Sequence, residues 1–298
     1  MWKRCNENGI ILFIMGILCP AVKRRLKDME NNNKFIVLGC RGSAPVCKKT
    51  HIEYGGETSS FLLRAGDKAI IFDGGSGILK STDMLDEEEA CHLLLSHMHM
   101  DHITGLAFWR PLFRNEKRVH IYSEKRNGMT TKEQISDFLK APYWPVGVEL
   151  FEGVAGYHDI DVGKTFEADG VVIKTKRSNH PNECTLFRVE WDGKSVVYAL
   201  DFEHSEKATE DLVDFAKDCD LLVYDATYTP EDYPSKKGWG HSTWEEGLKV
   251  KEKANAKILL LAHLDIRHSD EMLDALQKKL TEIDENVYLA KEGMEISI

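Results

Sequence analysis

Six strand-like runs in this chain stop at an aspartate or a histidine. "AIIF" runs into Asp73, "LLLS" into His97, "VVIKTKRSN" into His180, "VVYAL" into Asp201, "LLVY" into Asp225 and "ILLLA" into His263. Strand-end loops meet water and are polar anyway, which accounts for one or two of these. All six being Asp or His needs another reason. In α/β sheets, functional side chains gather beyond strand ends, where loops converge on one cleft. The pattern therefore demands several strands that end together at a single edge.

The rest of the chain supports that reading. Further strand candidates are "KFIVLGC", "SSFLLRA", "RVHIYS" and "CTLFRVEW", and Asp192-Gly193 before "KSVVYAL" is a two-residue hairpin signal. Helices are expected over 131–140, 206–217, 242–255 and 269–280, each with apolar residues at helical spacing. Strands and helices interleave to the end without repeats or low-complexity tracts, so one α/β domain over 34–298 is the simplest partition. Residues 1–33 form an N-terminal extension. Its run "NGIILFIMGILCPAV" is short for a membrane span, which needs about 20 apolar residues. It has no small-residue cleavage site, and "KRRLK" follows where cleavage would fall. A peripheral extended start, a weak membrane association through residues 9–27 and an export signal all stay open. The basic flank favours the cytoplasmic side. The seven cysteines are odd in number and lack CxxC spacing, as expected of free thiols in a reducing, cytoplasmic setting.

The densest cluster is "SHMHMDH". His97 and His99 alternate as two ligands for one ion, and Asp101 with His102 offers an adjacent pair for a second. Two ions about 3.5–4 Å apart would also need a bridging carboxylate and further histidines. His180, Asp201 and His263 are available for this, each at a strand end. Asp101, both ligand and nearby carboxylate, is the candidate general base.

These segments, together with "FIVLGCRGSAP", "YGGETSSFLLRAGDKAIIFDGGSGI", "NHP", "VVYALDFEH", "LLVYDATYTPEDYPSKKGWGHST" and "LLLAHLD", resemble the metallo-β-lactamase-fold hydrolases of the ribonuclease Z and phosphodiesterase branch. The resemblance implies a four-layer αβ/βα sandwich, two mixed β-sheets with helices outside. It implies two divalent ions, zinc first, with manganese and iron also suited. By the family pattern, His97, His99 and His180 hold one ion, Asp101, His102 and His263 hold the other, and Asp201 bridges them. Asp73 matches a carboxylate that orients a histidine ligand. "GWGHST" resembles the segment whose histidine, here His241, meets the substrate phosphate. "YDATYT" resembles its companion, with Asp225 where glutamate is usual. A blander role is open for His241, merely exposed beside a helix capped by Ser242 or Thr243.

Within the superfamily, flavo-diiron oxidoreductases carry glutamate where this chain has His99, and many true β-lactamases lack the counterpart of His102. Glyoxalase-type thioesterases share the whole motif. The leading expectation is a dinuclear hydrolase of small or cyclic-nucleotide-type phosphodiesters. The alternatives are a thioester or lactone hydrolase, a ribonuclease Z-like tRNA 3′ processing endonuclease, and a metal-binding regulator without turnover. Full-length tRNA is disfavoured twice. The net charge is −10, and phosphate backbones are bound through Lys and Arg. The resemblance would also place a long tRNA-gripping arm between His180 and Asp201, where this chain has a short hairpin. Phe108, Trp109, Tyr143 and Trp144 are candidates to wall a pocket, with ordinary core packing as the alternative. A homodimer stays open.

Overall fold

The computed structural model describes residues 33–86, 88 and 90–298. The extension and its apolar run at 9–27 lie outside them, except for Asn33. The Asn33 side-chain oxygen accepts hydrogen bonds from the Gly66 amide and the Trp191 indole, at 3.0 and 2.8 Å. Among the described residues no helix is long and apolar enough to cross a membrane.

Strands β1 (Lys34–Gly39), β2 (Ser60–Ala65), β3 (Lys68–Phe72), β4 (Ala90–Leu94), β5 (Arg118–Glu124) and β6 (Val154–Ile160) build the first sheet. The second holds β7 (Thr165–Ala168), β8 (Val171–Arg177), β9 (Thr185–Trp191), β10 (Lys194–Ala199), β11 (Leu221–Asp225), β12 (Ile258–Ala262) and β13 (Val287–Leu289). A last strand, β14 (Glu295–Ser297), returns to the first sheet beside β1. The spatial orders are β14-β1-β2-β3-β4-β5-β6 and β13-β12-β11-β10-β9-β8-β7. Both sheets are mixed. β3 to β6 run parallel, as do β10 to β13, while the remaining pairs are antiparallel.

The near-continuous apolar runs have a simple cause: both faces of the central strands are covered. Alternate residues Phe35, Phe61, Phe72, Phe187 and Tyr198 belong to one buried cluster, and Phe72 stacks on Tyr198 from the other sheet at 4.9 Å. Their neighbours Ile36, Leu62, Ile71 and Leu93 face the other way, packing with Trp109 and Ile135. The helix Thr131–Phe138 lies on β5 and β6, Trp244–Ala254 on β11 and β12, and Asp270–Ile283 on β13. This is the expected αβ/βα sandwich of two mixed sheets with helices outside.

The expected helices are present; three are a little shorter than expected, and the last, Asp270–Ile283, runs three residues further. Thr130 forms a capping box with Glu133, and Ser205, Thr243 and Ser269 each accept a backbone N–H of their own first turn. Asp192 and Gly193 both take positive φ, 43° and 73°, as a tight hairpin between β9 and β10 requires. The five described cysteines are free, and four of them are buried.

Candidate metal centre

β4 ends at Leu94, and the chain stays extended through His97 and His99 before turning into the short helix Met100–Ile103. Extended backbone sends residues two apart to the same side, which aims both histidines one way. The helical turn then lifts Asp101 and His102 beside them. The second sheet answers from across the edge. His180 follows β8, Asp201 follows β10 and His263 follows β12.

These side chains meet. Ligand atoms of His97, His99, His180 and Asp201 lie within 4.8 Å of one another, as do those of Asp101, His102 and His263. Asp201 stands between the two groups. Its Oδ1 is 3.7 Å from Nε2 of both His97 and His180. Its Oδ2 is 3.0 Å from His102 Nε2 and 3.5 Å from His263 Nε2.

The nitrogen on the far side of each ring is already occupied. His102 Nδ1 donates to Asp73 at 2.7 Å, and His180 Nδ1 donates to the Gly240 carbonyl at 2.9 Å. Ser96 Oγ donates to Asp73, so it accepts from His97 Nδ1 at 3.0 Å. Thr227 Oγ1 donates to Asp225 and in the same way accepts from His263 Nδ1 at 2.8 Å. With these protons fixed on Nδ1, the Nε2 lone pairs of four histidines point inward. Such outer partners set tautomer and ring orientation in metal sites.

The centre fits divalent metal on its own geometry. His97 Nε2 and Asp201 Oδ2 are buried and have no hydrogen bond among the described residues. Leaving such atoms unmatched is costly. Nitrogen and oxygen at about 2.0–2.2 Å around a tetrahedral ion lie roughly 3.4 Å apart, close to the 3.0–3.7 Å spacings around Asp201. The charges of these side chains also lean on each other. Burial opposes ionisation of Asp201, but His102, His263 and His97 hold its carboxyl well below the usual range. Burial works against charge on His102 too, yet Asp201, Asp101 and Asp73 carry it well above its ordinary value. Burial and the neighbouring His102 push His97 well below its ordinary value. Three of the residues named here, Asp73, Asp201 and His263, have positive φ of 57°, 53° and 60°. Each lies within two residues of a strand end, so the chain bends into a rare conformation to deliver its side chain, as functional sites often do.

His241 is buried at the same edge. Its Nδ1 donates to Asp225 at 2.8 Å, and its ring stacks on His263 at 4.8 Å. The helix behind it is capped by Thr243, not Ser242, so the capping role and a site position coexist. Asp225 is a buried acceptor that also takes the amides of Asp201, Thr227 and Ser242. Asp101 Oδ2 accepts from the Ser43 amide at 2.7 Å and lies 3.1 Å from His263 Nε2.

Three supporting residues escape sequence reasoning. Tyr198, in an ordinary apolar strand, donates across the sandwich to Asp73 at 2.7 Å. Glu203 accepts from the amides of Gly238 and Gly240 and from the Tyr233 hydroxyl, at 2.7, 2.8 and 3.1 Å. It thereby fixes the loop whose Gly240 carbonyl holds His180. Gly240 has φ of 89°, and a side-chain carbon there would run into the His180 ring. The only forward signal was "GWGH", a glycine directly before the histidine. Of the four aromatics considered for a pocket, Trp109 is core and donates to Ser81 at 2.9 Å. Phe108 and Tyr143 are exposed, and Trp144 packs edge-on against Phe108 at 4.8 Å. Cys184 is a buried core thiol.

A family model described as a beta-lactamase superfamily domain matches residues 70–264. The ribonuclease Z of Pyrococcus furiosus is 26% identical over 297 residues, covering 83% of this chain and 91% of its own. Among solved structures, the metallo-beta-lactamase fold protein YhfI from Bacillus subtilis matches with a TM-score of 0.66 at 22% identity, covering 88% of this chain and 98% of that one. A diphosphatase from the PhnP family matches with a TM-score of 0.65 at 19% identity, covering 89% and 97%.

Proposed function

Because the chain belongs to the beta-lactamase superfamily, we propose that it is a metal-dependent hydrolase that cleaves small phosphodiesters. The observation that carries this is the Asp201 carboxylate, which turns one oxygen to each of two histidine groups. The ribonuclease Z relative acts on phosphodiester bonds by name, and we assign the contact with the phosphate to His241, buried beside Asp225 and stacked on His263. Full-length tRNA is not our reading, because the twenty-one positions from His180 to Asp201 are taken up by the β9–β10 hairpin. A thioester or lactone hydrolase is the competing reading.

His97, His99 and His180 would hold one divalent ion and Asp101, His102 and His263 the other, with Asp201 between them. When bound, such a pair supplies an activated water nucleophile at neutral pH and offsets charge on the phosphate. Zinc suits this donor set best, and manganese or iron can also occupy it. The protein's part is placement and proton handling. Burial favours the neutral acid of Asp101, but His102 and His263 outweigh it and hold the carboxyl well below the usual range. It would thus be available as an ionised acceptor for the proton of such a water. Asp73, Ser96, Thr227 and the Gly240 carbonyl keep the ring protons on Nδ1. Asp225 accepts from His241 Nδ1, so that a second proton on Nε2 would make this ring an imidazolium able to stabilise the phosphate or protonate the leaving oxygen.

His241→Ala tests the reading. On bis-p-nitrophenyl phosphate kcat should fall by about 10²-fold or more, the scale for losing an acid or a charge-stabilising donor. Metal content should stay unchanged, since His241 is outside both proposed sets. A thioesterase or lactonase has no phosphate to contact, so its turnover should barely move. A variant that keeps both its metal and its phosphodiesterase rate removes the reading. We also propose that the hydrolase domain spans 34–298. A chain beginning at Met29 is then expected to fold and turn over like the full length, and a folded but inactive product would refute that division.

A further inference from the structure

A second group of histidines lies far from this centre. The parallel strands β4, β5 and β6 each bring one to the same face of the first sheet. His92 pairs with His120 across β4 and β5, and His158 pairs with Tyr122 across β5 and β6. This face also carries Leu94, Tyr122 and Ile160, which belong to the main core cluster. It therefore looks into the space between the sheets. The rings form a row, with His92 and His120 centroids 5.4 Å apart, His120 and His158 5.3 Å, and His158 and Tyr122 4.4 Å. Across the gap, the turn between β7 and β8 adds Asp169, in a positive-φ conformation. Its Oδ2 is 3.1 Å from His92 Nε2. The seven-residue strand β8 separates this turn from the loop of His180, about 20 Å at the usual rise per residue.

We propose that His120 and His158, flanked by His92 and Asp169, form a second, non-hydrolytic binding site for a divalent transition-metal ion such as zinc. Their facing nitrogens, His120 Nδ1 and His158 Nε2, are 3.0 Å apart. Two ligands on one ion, at bonds of about 2.0–2.1 Å and angles of 90–109°, are separated by roughly 2.9–3.4 Å, so the pair needs almost no movement. Gly156 makes the convergence feasible. It sits opposite His120, and a side-chain carbon there would come 2.7 Å from His158 Nε2 and 3.4 Å from His120 Nδ1. An edge strand normally gains from a branched residue at such a position; here the gap keeps the two rings together. His92 has both nitrogens engaged, by Tyr122 and Asp169, so it buttresses the stack. Asp169, in an exposed turn, accepts from His92 Nε2 and so fixes the outer end of the row.

Through the His92–Asp169 hydrogen bond the site ties the first sheet to the β7–β8 turn of the second. The zinc-loaded full-length protein, dialysed against stepped concentrations of free zinc, should take up one more ion per chain than His158→Gln or His120→Gln. Gly156→Val should also lose this ion while retaining every ligand. Hydrolysis of bis-p-nitrophenyl phosphate should be unchanged in all three variants, which also reports that they fold. If a histidine variant fails to fold, Asp169→Asn carries the comparison and should bind the added ion more weakly. Equal zinc uptake by the wild type and the folded variants at every concentration would reduce the cluster to a hydrogen-bonded histidine pair and overturn the proposal.

Discussion

Asp201→Ala is expected to lower phosphodiester turnover by about 10³-fold or more and to strip most of the bound metal. Each oxygen of this carboxylate faces a different histidine group, so truncation unlinks both at once. Charge stabilisation by a bound cation is a several-kcal/mol effect, and about 1.36 kcal/mol corresponds to a decade in rate. The loss also leaves buried imidazoles with less negative charge among them, which disfavours any cation there. Elemental analysis and steady-state rates on one preparation decide the matter. A variant holding two ions per chain at the wild-type rate would rule out the bridging role.

Asp73→Ala should have the largest effect on stability. The residue is fully buried, and its carboxylate takes four hydrogen bonds, from His102, the Ser96 amide, the Ser96 hydroxyl and Tyr198. Removing one partner of a buried charged pair costs about 3–5 kcal/mol. In a domain of this size that is a fall in melting temperature of about 6–20 °C. Asp73→Asn keeps the volume but sets an amide against donors. It should melt between the two and bind metal about 10–100-fold more weakly, since the His102 ring is no longer held. Scanning calorimetry on metal-free and metal-loaded protein checks both effects. An Asp73→Ala protein melting within about 2 °C of wild type would show that the network is not needed for stability.

Much of this fold is written in short-range pattern. The central strands are buried on two faces and read as apolar runs, and the aspartates and histidines at their ends are visible because each interrupts such a run. β6 and β7 escaped because they are edge strands, and "VAGYHDI" is mostly half-exposed. β13 and β14, of three residues each, are too short to show a period. The supporting residues are harder for another reason. Tyr198 reaches Asp73 over 125 positions, and Glu203 binds Gly238 and Gly240 over 35 and 37. A tyrosine inside a strand and a glutamate after one carry no local sign of such contacts.

His97, His99, Asp101 and His102 follow strands of the first sheet, whereas His180, Asp201 and His263 follow strands of the second. A chain with both sheets formed but not yet docked owns two incomplete half-sites, neither able to run the proposed chemistry. Under the proposed assignment, ion capture would wait for the two sheets to dock, and cleavage would belong only to chains that have completed folding. For a hydrolase whose targets would resemble abundant cellular phosphates, that delay is a safeguard: a nascent or damaged copy is harmless until its two halves have met.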